Sequence, residues 1–299
     1  MDESVNESAS ARPATAVPAP ARAVGLSVVI DGRLGVMQAR QVAALASRLG
    51  LAGVWLRQPW WPLTGPVEDA ADSAGLLAWL ADNAAVSVGL IVEAGQADAG
   101  LLDHVAMAWR RGHDCPARPA EISVALSGPA AAVSDWQGSL QRQPGLRVSR
   151  LARSAGTPGP APAAVFVPCR AARDLAAEIP AAVAAAAGVP VLAEVTVSVG
   201  RTMAEAQARV GADKLFAVVG HPARQGLFGT LEDCQAAAAR LAHAGVTELV
   251  CYLPLASDLP DVLAQLRSIA VGASVLRPGE PPSTAPPPPA GWGGRRVTA

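Results

Sequence analysis

The stretch Asp233-Cys-Gln-Ala-Ala-Ala-Ala-Arg-Leu-Ala-His-Ala-Gly-Val-Thr-Glu-Leu-Val-Cys-Tyr-Leu253 decides how this chain folds. An Ala/Leu helix runs to Gly245 and a short apolar run follows. Glycine ends the helix because it enters a left-handed C-cap without steric cost. The run after it is apolar on both faces, as a buried parallel strand must be. Arg40-Gln-Val-Ala-Ala-Leu-Ala-Ser-Arg-Leu-Gly-Leu-Ala-Gly-Val-Trp-Leu56 repeats the same order. Helix, glycine and buried strand together indicate a β/α architecture.

Working outward, apolar runs predict strands near Leu26–Ile30, Gly53–Leu56, Val86–Val92, Ile122–Leu126, Ala164–Val167, Val191–Val197 and Leu249–Leu253. A weaker run at Leu146–Leu151 makes an eighth. Helical patterns fall at Val36–Leu49, Val67–Asp82, Ala99–Arg111, Ala130–Leu140, Ala171–Ala187, Met203–Leu215, Leu231–His243 and Leu259–Ala270. Thr202 and Thr230 stand three residues before Glu205 and Asp233, the spacing of a capping box. Eight strands alternating with eight helices fit a (β/α)8 TIM barrel, whereas seven strands would favour an open doubly wound sheet. The first strand is not followed by GxGxxG or GxxxxGK[ST], which argues against dinucleotide-binding and P-loop folds.

The chain has 299 residues, 51% hydrophobic and 16% charged, with a formal net charge of −1. It is long enough for one barrel-sized core. It lacks a basic run, so neither nucleic acid nor an anionic membrane surface is an expected partner. Lys214 is the lone lysine. The segments 1–22 and 276–299 read as disordered tails around a 23–275 barrel, and the Pro/Gly/Ser stretch Arg153–Pro162 reads as unstructured. A secretory signal is not recognisable, and the apolar stretch Ile179–Val199 is broken by Pro180, Gly188, Pro190 and Glu194, so the expected location is cytoplasmic. Cys115, Cys169, Cys234 and Cys251 are scattered without CxxC spacing, which points to free thiols and no metal site.

Leu49-Gly-Leu-Ala-Gly-Val-Trp-Leu56, Val86-Ser-Val-Gly-Leu-Ile-Val92, and Phe228-Gly-Thr-Leu-Glu-Asp-Cys-Gln235 with Ala244-Gly-Val-Thr-Glu-Leu-Val-Cys-Tyr-Leu253 resemble the luciferase-like monooxygenase family. Val195-Thr-Val-Ser-Val-Gly-Arg-Thr-Met-Ala-Glu-Ala206 adds to the likeness. The resemblance spans Gly25 to Ala270 and is weakest between Pro129 and Ala164. It implies a (β/α)8 barrel and a flavin- or deazaflavin-dependent oxidoreductase or monooxygenase, with FMN or coenzyme F420 across the C-terminal mouth and a small organic substrate. It also admits a homodimer, or a heterodimer of active and inactive chains.

The family resemblance further implies an acidic residue and a histidine after the second strand, but this chain has Arg57, Gln58 and Pro59 there. The proline side chain cannot carry a proton, so acid/base work at 59 is excluded. Near the fourth strand, Val124-Ala-Leu-Ser-Gly128 keeps only the last glycine of the family's turn.

Asp31 follows the first strand, where it would orient a substrate or a deazaflavin hydroxyl; Asp31-Gly32 is equally good turn chemistry. Trp60 and Trp61 follow the second strand and would stack on an isoalloxazine, or form a lid or oligomer contact. Glu93 ends the third strand, where an apolar mouth would suit a catalytic acid, against the reading of an exposed loop glutamate. Ser127 and Gly128 are candidates for cofactor contact. Arg170, before a helix start, would hold a phosphate. His221 and Arg224 lie in a loop that would reach the mouth, and His113-Asp114-Cys115 cannot converge as a triad. An aldolase or epimerase is a poor match, because Lys214 falls on a predicted helix instead of a strand end. The expectation is a luciferase-like oxidoreductase with Asp31 and Glu93 in catalysis; the alternative is an inactive homologue serving as a ligand-binding or partner subunit.

Overall fold

The computed structural model describes residues 24–30, 34–58, 70–97, 100–112, 120–143, 145–157, 159–168, 175–213, 226–254 and 259–275. Both tails expected to be disordered, 1–22 and 276–299, lie outside these residues. The strands are β1 (Gly25–Ile30), β2 (Gly53–Gln58), β3 (Ser87–Glu93), β4 (Ala120–Ser127), β5 (Leu146–Arg153), β6 (Ala164–Val167), β7 (Val191–Val199), β8 (Gly226–Gly229) and β9 (Glu248–Tyr252). The helices are α1 (Val36–Leu49), α2 (Ala70–Asn83), α3 (Leu101–Gly112), α4 (Ala130–Arg142), α5 (Leu175–Ala185), α6 (Met203–Ala212), α7 (Leu231–His243) and α8 (Leu259–Val275).

Parallel pairing runs from β1 through β7 in chain order, then from β7 to β9 and back to β1. These eight strands close a (β/α)8 barrel. The weak eighth strand is real: β5 pairs with β4 from Ala120↔Leu146 to Leu126↔Arg153, with a register shift at Ile122/Ser123. Gly226–Gly229 was not expected as a strand. It pairs with Thr196–Val199 at the upper end of β7, while Leu192–Thr196 below pair with β9.

Strict alternation fails in two places. No helix joins β5 to β6, because Pro160 and Pro162 in a ten-residue connection leave no room for one. That connection was expected to be unstructured, yet it is pinned: Ser154 N donates to Leu126 O at 3.3 Å, Ala163 N to Leu151 O at 2.9 Å, and the buried Arg153 guanidinium to Pro160 O. The second departure is β8, which splits the last crossover into α6 and α7.

Local chemistry explains the element ends. Thr230 and Asp233 form the complete capping box at α7, and Thr202 accepts from Glu205 N at α6. Gly50 closes α1 with φ 68°, in the left-handed region. Strand residues alternate between two apolar compartments. Leu26, Val28, Ile30, Val54, Leu56 and Leu90 pack outward against the helices. Val29, Trp55, Ile91, Phe166, Leu192 and Val250 fill the barrel. Among the described residues no helix is long and apolar enough to cross a membrane.

Candidate functional site

Because side chains alternate along a strand, each residue two positions beyond a barrel-filling residue also points inward, one layer nearer the C-terminal mouth. Arg57 lies two beyond Trp55, Glu93 two beyond Ile91, Glu194 two beyond Leu192, and Tyr252 two beyond Val250. Four strands, β2, β3, β7 and β9, thus bring a cation, two carboxylates and a phenol ring together above an apolar layer.

Arg57 Nη1 donates to Glu194 Oε1 in a close ion pair, with side chains 3% and 1% exposed. Arg57 Nη2 stands 3.7 Å from Glu93 Oε2, and its guanidinium carbon lies 5.4 Å from the centre of the Tyr252 ring. Glu93 is 24% exposed and so faces the mouth. Its Oε1 accepts from Gln96 Nε2 at 2.9 Å. Burying a charge costs several kcal/mol per ion unless it is paired, and here one guanidinium serves two carboxylates.

At the opposite end of the barrel a second polar layer forms around Glu248. Its Oε1 accepts from Ser27 Oγ at 2.7 Å and from Trp55 Nε1 at 2.9 Å, and its Oε2 pairs with Arg150 Nη1 at 2.9 Å. This layer closes the floor. The Arg57 layer, two residues higher on β2 and on the catalytic side of a (β/α)8 barrel, is the candidate site.

The expected site residues are only partly brought into view. Glu93 sits in the cluster, as a half-buried carboxylate beside a guanidinium and not as a solvated loop residue. Ser127 lies in register with Glu93 on the neighbouring strand, its Oγ 3.4 Å from Val92 O. Gly128 has φ 123°, and a Cβ there would fall 2.3 Å from Ala94 O, so the close approach of the β3 turn accounts for glycine at 128. Asp31, Trp60, Trp61 and Arg170 lie outside the described residues, as do His221 and Arg224. Among the described residues no cluster of three metal-ligating side chains occurs.

Sequence reasoning passed over Arg57 and Glu194 as site residues. It took the first as the place where expected groups are lost, and the second as a break in an apolar stretch. The available signal was parity: a lone carboxylate inside a nine-residue apolar strand has to find a cation within the barrel.

No protein-family model matches this chain, and no curated protein matches it in sequence. Solved structures do. An F420-dependent secondary alcohol dehydrogenase in complex with an F420-acetone adduct superposes with a TM-score of 0.60 at 12% identity, over 84% of this chain and 99% of that one. The monooxygenase RslO1 from Streptomyces bottropensis gives 0.56 at 12%, over 83% and 98%. The coenzyme F420 dependent tetrahydromethanopterin reductase from Methanopyrus kandleri gives 0.55 at 11%, over 82% and 97%. The fold is a (β/α)8 barrel. It is shared almost end to end with each of these enzymes, and the resemblance drawn from Gly229-Thr230 and Ala244-Gly245-Val246 holds at the level of the fold.

Proposed function

We propose that this luciferase-like barrel is an oxidoreductase that takes coenzyme F420 or FMN across its C-terminal mouth and acts there on a small organic molecule. The observation that carries this reading is the cluster of buried Arg57 and Glu194 with half-buried Glu93. Removing two charges from water is costly, and here the cost falls at the strand ends where barrel enzymes place their chemistry.

The described donor set fits the ring of such a cofactor. Glu93 offers acceptor oxygens at the mouth and Ser127 a hydroxyl beside it, while Phe166 and Tyr252 supply apolar surface below. In this reading Glu93 and Ser127 hold the polar edge of the ring, and Arg57, itself fixed by Glu194, holds Glu93. Trp60 and Trp61 stack on the ring, Asp31 orients the substrate, and Arg170 takes the phosphate. The backbone of Gly128 shapes the turn. The cofactor when bound supplies the hydride or oxygen chemistry; the chain binds, orients and excludes water.

Titrating the purified protein with FMN, reduced FMN and F420, followed by absorbance and fluorescence, tests the proposal. Micromolar binding of one of them, weakened by Glu93→Gln, is the expected result. Failure of all three to bind at high micromolar concentration refutes it.

One observation favours a second reading, an inactive homologue acting as a ligand-binding or partner subunit. Next to Gln58-Pro59, where the family resemblance implies an acid and a histidine, Arg57 is committed to two carboxylates. That reading predicts cofactor binding without turnover, or co-purification with a second barrel chain.

A further inference from the structure

At the end of the barrel opposite the mouth, where the strands begin, a crevice of about 400 Å³ opens between the C-terminal end of α1 and the C-terminal half of α8. Its walls are largely apolar, formed by Val24, Leu26, Leu51, Ala52, Ala270 and the exposed Val271. Arg48 and Arg267 also line it, and both are exposed. Ser47 lines it too.

The charge around this crevice is one-sided. No carboxylate lines it among the described residues. Glu248, at the start of the adjoining β9, is turned into the barrel and held there by Arg150, Ser27 and Trp55. Neither Arg48 nor Arg267 forms an ion pair among the described residues.

We propose that the crevice binds a small amphipathic carboxylate. A volume of this size suits a small molecule with a short hydrocarbon body. Its tail would lie against the apolar walls, where burial is favourable in proportion to area. Its carboxylate would meet the Arg48 and Arg267 guanidiniums, whose planar donor forks match two oxygens. The crevice shares no residue with the Arg57 cluster, so the inference stands or falls apart from the oxidoreductase reading.

Calorimetric titration of the full chain with octanoate, methyl octanoate and inorganic phosphate tests this, with amide NMR shifts locating the site. Octanoate is expected to bind and to shift the Ser47, Gly50 and Ala52 amides. Methyl octanoate, which lacks the charge, is expected to bind about tenfold more weakly or worse. The double variant Arg48→Gln/Arg267→Gln is expected to lose about tenfold or more in octanoate affinity. Val271→Glu, at an exposed position, is expected to weaken binding by placing a like charge at the rim. Circular dichroism checks that each variant is folded. The proposal is overturned if octanoate does not bind, if the double variant binds it unchanged, if phosphate alone binds as well as octanoate, or if the shifts appear only at the barrel mouth.

Discussion

Replacing Arg57 with leucine removes a cation that pairs with two mouth carboxylates. Glu194 is 1% exposed, so water does not replace the lost ion pair. Breaking one side of such a buried pair costs about 3–5 kcal/mol. Glu93 adds little to this, because it is 24% exposed and keeps its bond from Gln96. For a chain of this size the expected loss in Tm is roughly 6–20 °C. Arg57→Leu/Glu194→Leu removes both charges and fills the space with hydrocarbon, so the double variant is expected to be more stable than either single one. Urea unfolding followed by far-ultraviolet circular dichroism and by tryptophan fluorescence measures all three. The reasoning is refuted if Arg57→Leu costs less than about 1 kcal/mol, or if the double variant shows the sum of the two single losses.

Packing inside the barrel makes a paired prediction at two glycines. A Cβ on Gly89 would fall 2.2 Å from the Trp55 ring, which is 1% exposed and fixed by its bond to Glu248, so Gly89→Ala is expected to cost about 1–3 kcal/mol. Gly75, in α2 with nothing within 4 Å of a new Cβ, is expected to gain about 0.5–1 kcal/mol as alanine. Equal effects at both sites in thermal unfolding would contradict the packing. Burial pushes the Cys234 thiol up to about 12 and raises the Cys251 thiol as well, so at pH 8 neither should react with Ellman's reagent until the chain unfolds. Mass-mapped labelling of either one in the native protein would count against the assigned core. The Arg201 backbone N–H, 2.8 Å from Glu205 Oε2, holds that carboxyl below its ordinary value, with help from Arg209. Its stabilising contribution is therefore present above the unfolded-state value and is lost as pH falls through the lower folded one. The stability gap between wild type and Glu205→Gln should narrow between about pH 5 and pH 3, and a gap that does not change with pH would contradict this.

Much of the barrel was legible from composition and order alone. Ala/Leu helices ending in glycine, followed by strands apolar on both faces, have few ways to bury both faces except inside a layer of helices. The capping box at Thr230 and Asp233 was legible because both partners are three residues apart and belong to one helix. The strand at Leu146 was faint because its alternation is interrupted by Arg147 and Arg150, and the latter reaches inward to Glu248. Gly226–Gly229 was missed as a strand because four residues with two glycines carry almost no strand signal.

By itself, the sequence determined the alternation of helices with buried parallel strands and the caps, because each of these follows from local spacing and from the need to bury apolar faces. Only the tertiary structure decided that Arg57, Glu194 and Glu93 form one cluster. Arg57 and Glu194 are 137 residues apart, and nothing in either strand names its partner. Closing the barrel turns the two strands toward one narrow interior, and there each buried charge is stabilised by the other.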